Sequence, residues 1–254
     1  MIPLKDENPT EITPFVTVAL IAINVAVWVF VQGAGLGDRY LASLCTYGAI
    51  PGEITGVIPG GELLQLGPVD YCPTGGLVRV TLLTSIFLHG GWMHLIGNMW
   101  FLWVFGNNIE DSMGHLRFIG FYLLTGLIAS GAHILTSFSS GVPMVGASGA
   151  ISGIMGAYIV LYPRVRVLTL IPIFFYIQIV ALPAAVMLGF WFVFQLLSGF
   201  LSPGLGGGVA FWAHVGGFVG GIVLIKLFER RKLVEAKRHK HKLTRQELGR
   251  WERW

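Results

Sequence analysis

GASGAISGIMGAYIVLY, residues 146–162, carries no charged side chain and repeats glycine at 146, 149, 153 and 156. Residues three or four apart stack on one face of a helix, so Gly149, Gly153 and Gly156 form a smooth stripe. Such a stripe lets a second backbone approach closely, as helices do when they associate in lipid. Ser148 stands at the first turn of this run. Five more apolar runs surround it, at approximately 14–32, 92–109, 116–137, 180–200 and 209–228. Each is near the length of about 20 residues with which a helix crosses a hydrocarbon core of about 30 Å.

Hydrophobic residues make up 54% of the 254 and charged residues 12%, where soluble domains carry roughly a quarter charged. Mean hydropathy is +0.71. So few charges cannot cover a water-soluble surface, and the fold class read from the sequence is an all-α polytopic membrane protein, a bundle of six transmembrane helices. The stretch 167–200 is too long for one crossing and too short for two. Pro172 and Pro183 interrupt it, which predicts an interfacial or apolar loop over 167–178.

Lys and Arg fix the expected orientation. Six spans put Lys5, Arg117, Arg164, Arg166 and the eleven basic residues from Lys226 to Arg253 on one side, fifteen in all, against Arg39 and Arg79 on the other. Both termini are therefore expected in the cytoplasm and the protein in the inner (plasma) membrane as a multi-pass chain. Residues 1–13 form a cytoplasmic segment, 14–228 the membrane domain with an outer loop at 33–91, and 229–254 a basic cytoplasmic tail. The first apolar run lacks a small-residue cleavage site and is expected to stay as an uncleaved signal anchor. Cys45 and Cys72 fall in the outer loop, either as a disulfide or as two buried thiols, and they are too few for a thiolate metal site.

Polar groups inside a span are costly and mark function. None of the runs holds Asp or Glu in its interior; Glu110 and Asp111 lie at the inner end of the second. What remains is His89, His94 and Asn98, then His133, then Ser148 and finally His214. Without paired carboxylates aspartyl-protease chemistry is excluded, and no His is followed by Glu as a zinc-protease HExxH motif requires. At about 1.5 Å per residue, His94 with Asn98, Ser148 and His214 all fall in the outer third of the bilayer. A serine hydroxyl needs a base, and His214 is the candidate. With no carboxylate behind it the pair is a dyad. Asn98, His94 and the Ser148 backbone N–H are the candidate oxyanion donors, and His89 is the candidate lining of a water route. No metal and no cofactor are called for.

Three segments together resemble the rhomboid family of intramembrane serine proteases, of bacterial type. They run from His89 through Gly90, Gly91 and His94 to Asn98, from Gly146 through Ser148 and Gly149 to Gly153, and from Ala213 through His214 and Gly217 to Gly221. Phe105, Gly106 and Glu110 add to the likeness, which covers approximately residues 77–225 and extends weakly to the amino terminus. The resemblance implies a six-helix rhomboid-like core, a catalytic dyad of Ser148 and His214, and oxyanion contacts from His94 and Asn98. It implies single-span transmembrane protein substrates cut near the outer face. One position departs from it: four residues after the nucleophile the family often has an aromatic residue, and here stands Ser152.

Plainer readings exist for each residue. Ser148 among glycines can be a small residue at a helix crossing, and Gly149, Gly153, Gly217 and Gly221 are themselves read as packing positions that bring two helices together. His214 can be a hydrogen-bonded core histidine, and His133 is read as structural. The basic tail is a topology anchor or a contact with the anionic lipid bilayer; no nucleic acid is expected. Two other function classes compete with a protease: a catalytically silent client-binding relative, and a metal-binding transporter using His89, His94 and His214, which leaves Ser148 without a role.

Overall fold

The structure is a computed structural model that describes residues 1–67, 70–76, 78–173, 176–201 and 209–238. Most of the basic tail expected at 229–254 lies outside the described residues. In chain order the elements are β1 (Ile2–Asp6), α1 (Phe15–Ala26, extended by a π-helical turn Val27–Val31), α2 (Gly37–Tyr47), α3 (Pro51–Thr55), β2 (Leu63–Gln65), β3 (Tyr71–Pro73) and α4 (Thr81–Thr84). Then follow α5 (Trp92–Phe101, with a π-helical turn Leu102–Gly106), α6 (Asn107–Met113), α7 (His115–Thr136), α8 (Ser148–Leu161), β4 (Arg166–Ile173), β5 (Tyr176–Pro183), α9 (Ala184–Leu201), α10 (Phe211–Phe228) and α11 (Arg231–Arg238).

Each of the six apolar runs contains helix, but the fold is not all-α. By length and apolar composition α7, α9 and α10 suffice to cross a membrane, whereas Phe15–Val31 and Ser148–Leu161 are shorter. The stretch expected as a loop at 167–178 is a β-hairpin: β4 pairs antiparallel with β5, Arg166 opposite Pro183 and Ile173 opposite Tyr176. β1 adds on the other edge of β4, with Ile2 opposite Leu170 and Asp6 opposite Val167. The two prolines do end the helical pattern, yet the sequence between them is rich in Ile and aromatic residues, which suit a pleated surface. The side chains of β4 alternate, Val167 and Thr169 fully buried, Arg166 exposed and Leu168 half-buried. The fifth helix accordingly starts at Ala184, after the strand that takes up 180–183.

Two carboxylates tie the amino-terminal segment to the bundle. The first N–H groups of a helix lack intrahelical acceptors, and a negative charge there also meets the positive end of the helix dipole. Glu110, fully buried, accepts from the backbone N–H groups of Val16 at 2.9 Å and Thr17 at 2.8 Å and from the Thr17 hydroxyl at 2.6 Å. His115 Nδ1 lies 2.6 Å from its other oxygen. Asp111 accepts from the Ile12 N–H at 2.9 Å and from Lys237 Nζ at 2.5 Å. In the segment before α5, Cys45 of α2 and Cys72 of β3 are joined by a disulfide. Of the two readings of these cysteines, the structure contains the bridge.

At the centre α7, α8 and α10 pack on one another, with Phe118, Phe121, Tyr122, Ile151, Ile154 and Tyr158 in the core. The approach of α8 to α10 is a backbone contact. A Cβ on Gly217 would run into the carbonyl oxygen of Gly149, one on Gly221 into that of Gly153, and one on Gly156 into that of Phe218. On the other face of α8, Gly149 and Gly153 leave room for Ala129 and Thr125 of α7. Such close approach replaces side-chain contact with dispersion between backbones, which drives association in lipid. Gly221→Ala is expected to lower the melting temperature in detergent, by overpacking worth about 1–3 kcal/mol. Gly97→Ala, where no atom stands within 4 Å of the new methyl, is expected to leave it unchanged or raise it, since Ala is the better helix former by about 1 kcal/mol.

Candidate active site

Ser148 is the first residue of α8, and the chain enters it through Gly146, whose φ is +132°. Only glycine adopts that backbone without strain, and here a Cβ would also stand 2.8 Å from the His94 ring. The Gly146 N–H donates to the carbonyl of Ser85 at 2.9 Å, fixing the turn. His214 enters from α10 one turn below its start. Its Nε2 lies 2.8 Å from Ser148 Oγ. The glycine-mediated contact of α8 with α10 is what brings hydroxyl and imidazole this near.

The second ring nitrogen of His214 is occupied too. Gln195 of α9 is buried, and its Oε1 lies 2.8 Å from His214 Nδ1. A carbonyl oxygen only accepts, so Nδ1 carries the proton and Nε2 keeps its lone pair toward Ser148. The Trp191 ring, one turn earlier on α9, sits 5.9 Å from the imidazole centroid, tilted by 38°. Ser152, where an aromatic was missed in the sequence, donates its hydroxyl to the Ser148 carbonyl at 2.6 Å.

His94 and Asn98 project from α5. The Gly90 N–H donates to His94 Nδ1 at 3.2 Å, which assigns the ring proton to Nε2. That Nε2 and Ser148 Oγ border the same point beside Gly146, 2.9 and 3.5 Å from where a Cβ there would stand. Asn98 is buried, and its Nδ2 has no hydrogen-bond partner among the described residues. A buried amide left unpaired costs about 1–3 kcal/mol, so this donor is held open at a price in stability. Asn98 stands one turn along α5 from His94, on the same helical face.

His89 lies beneath the surface. Its backbone is clamped by Gln32, whose Nε2 donates to the His89 carbonyl at 2.9 Å and whose Oε1 accepts from the His89 N–H at 2.8 Å. Its ring is fully buried, 5.2 Å from the His94 ring, and neither nitrogen has a partner among the described residues. His133, on α7, is half-buried. A small cavity of about 20 Å³ lies beside Ser148, bordered by Ser85, Ser130, Gly146 and Ala213. That is room for about one water with polar neighbours. Among the described residues no group of three or more His, Cys, Asp or Glu is placed to hold a metal ion.

The sequence reading does not reach Gln195 or Trp191, since no motif and no ionisable group marks either. The signal was present: Gln195 is an amide in a largely apolar run, and such a group seeks a partner.

The family model for the rhomboid domain matches residues 77–231. Among curated proteins the chain is 30% identical over 172 residues to Rhomboid-related protein 2 of Mus musculus, covering 65% of this chain and 55% of that one. It is 30% identical over 167 residues to RHOMBOID-like protein 6, mitochondrial, of Arabidopsis thaliana, covering 60% and 53%. To RHOMBOID-like protein 5 of Arabidopsis thaliana it is 39% identical over 79 residues, covering 31% and 26%. The chain thus spans about half or less of the length of these relatives. All three are eukaryotic, so they carry the family and not the bacterial subtype expected from the sequence.

The unpaired amide of Asn98 makes a thermal prediction. Asn98→Leu, of similar size, is expected to melt at or above wild type, because replacing an unsatisfied buried polar group by an apolar one removes a cost of about 1–3 kcal/mol.

Proposed function

This chain belongs to the rhomboid family, and from that premise we propose that it is an intramembrane serine endopeptidase. It is a membrane protein with apolar helices, and the observation that carries the catalytic reading is the 2.8 Å approach of His214 Nε2 to Ser148 Oγ. In this reading six helices cross the bilayer, with residues 1–13 and the tail 229–254 in the cytoplasm of a cell whose inner membrane holds the domain 14–228. The partners are single-span transmembrane proteins and the lipid bilayer.

Ser148 attacks the scissile carbonyl while His214 Nε2 takes its proton. The tetrahedral oxyanion is received by the Ser148 N–H, the Asn98 amide and His94 Nε2–H. His214 returns the proton to the leaving amine, and the acyl-enzyme remains. Water enters by way of His89 and the small cavity beside Ser148 and attacks the acyl carbonyl as it gives a proton to His214; the acid leaves as the ester bond breaks and His214 returns that proton to Ser148 Oγ. A helical peptide bond is shielded by its own hydrogen bonds, so the substrate unwinds near the outer face before it is cut.

The test is cleavage of a panel of single-span substrates by the full chain in proteoliposomes. Ser148→Ala and His214→Ala are each expected to lose about 10³-fold or more of kcat, as removal of nucleophile or base does in serine proteases. Asn98→Leu is expected to lose about 10²-fold while remaining folded, the usual effect of removing one oxyanion donor. Full cleavage by Ser148→Ala sinks the protease reading and leaves a client-binding role. The expected product masses place the cut near the outer membrane face.

A further inference from the structure

The dyad has no carboxylate behind the imidazole, and Ser152 gives its hydroxyl to the Ser148 carbonyl at 2.6 Å. Both contacts that restrain the His214 ring from behind come instead from α9: Gln195 Oε1 at 2.8 Å from Nδ1 and the Trp191 ring at 5.9 Å. Trp191 and Gln195 are four residues apart and so share one helical face. Apart from Ser198 the remainder of α9 is apolar. Val186, Phe190, Val193, Phe194 and Leu197 are exposed on its other faces, as befits contact with lipid.

An amide in that setting costs free energy unless its hydrogen bonds are made, and Gln195 is one of the few buried residues in the outer half of α9. Neighbouring contacts hold it there: Phe192 stacks on Phe218 of α10 at 4.7 Å, and Gly199 leaves room for the Trp212 ring. Gln195 presents an acceptor to Nδ1, which leaves Nε2 unprotonated. The opposite tautomer would aim a donor at the Ser148 hydroxyl and could not accept its proton. The other titratable groups around the imidazole are His94 of α5 and His133 of α7, and neither is within hydrogen-bonding distance of Nδ1 among the described contacts.

We propose that Gln195, supported by Trp191, is a positioning residue that fixes the tautomer and orientation of His214, so that α9 supplies what a triad's carboxylate supplies elsewhere. This rests on the protease reading above. It deepens that reading by making α9 a third element of the site, beside α8 and α10.

The experiment compares wild type with Gln195→Leu, Gln195→Asn and Gln195→Glu, each as the full chain in proteoliposomes with one single-span substrate, reading kcat and KM separately. Gln195→Leu, of similar bulk but without an acceptor, is expected to lose about 10- to 100-fold in kcat with KM within about twofold, the scale of one buried hydrogen bond. Gln195→Asn, one methylene short of Nδ1, is expected to lose as much. Gln195→Glu, which keeps an acceptor oxygen at the same reach, is expected to stay within about threefold of wild type on that same scale. Where Gln195→Leu does not fold, the Asn and Glu variants decide the matter alone. Equal kcat in Asn, Glu and wild type overturns the proposal, as does failure of Glu to regain what Leu and Asn lose, which would mark Gln195 as mere filling. A wild type that cleaves and labels nothing removes the protease reading and this inference with it. A wild type that cleaves beside an unimpaired Gln195→Leu removes this inference only.

Discussion

The backbones of α8 and α10 touch, and much of the molecule follows from that contact. Gly156 on one side and Gly217 and Gly221 on the other leave no space for a methyl group between the helices, the last two facing the carbonyl oxygens of Gly149 and Gly153. Helices bearing ordinary side chains pack with their axes about 8–10 Å apart, and a seam of glycines lets the backbones themselves meet. Here a short hydroxyl and an imidazole close to 2.8 Å because the scaffold beneath them has been stripped to backbone. Close packing carries strain efficiently, so the contact also fixes the pair's geometry rather than merely allowing it.

Around α1 and β1 many polar groups of the chain are paired. Glu110 and Asp111 answer the free N–H groups ahead of and within the first turn of α1, and β1 pairs its backbone with β4. Against that background the unpaired groups stand out. Asn98 Nδ2 and both ring nitrogens of His89 are buried without partners among the described residues, and they cluster on or just before α5, close to Ser148. Buried atoms of Asn8, Asn24, Trp28, Tyr122 and His133 are unpaired too, but an unsatisfied amide one turn along α5 from His94 is what a site built to receive charge would keep in reserve. The stability given up there is offset by the core around Phe118, Tyr122 and Tyr158.

Much of this was legible from the sequence. The small-residue stripe of 146–162 and the GxxxG of α10 give the helix contact directly, because glycine spacing maps onto a helical face without knowledge of the partner. The meeting of Ser148 with His214 and His94 was anticipated by helical rise taken together with the six-span reading. The hairpin at 166–183 was not legible, since an apolar stretch broken by proline reads equally as loop or strand until β1, far away in sequence, supplies the third strand. The roles of Glu110 and Asp111 were hidden for the same reason: their acceptor geometry depends on where the amino-terminal segment crosses. Gln195 was not legible because no motif marks it, whereas Asn98 stands one turn from His94, although in lipid an amide requires a partner in either place.

The central claim is that the imidazole at 214 activates the hydroxyl at 148. Its most direct measurement is intact-mass analysis of the full chain in proteoliposomes over time with a fluorophosphonate. The account predicts a single adduct, mapped by fragmentation to Ser148, whose formation is abolished in His214→Ala. An adduct forming at the same rate without the imidazole, or forming only at another residue, would contradict it.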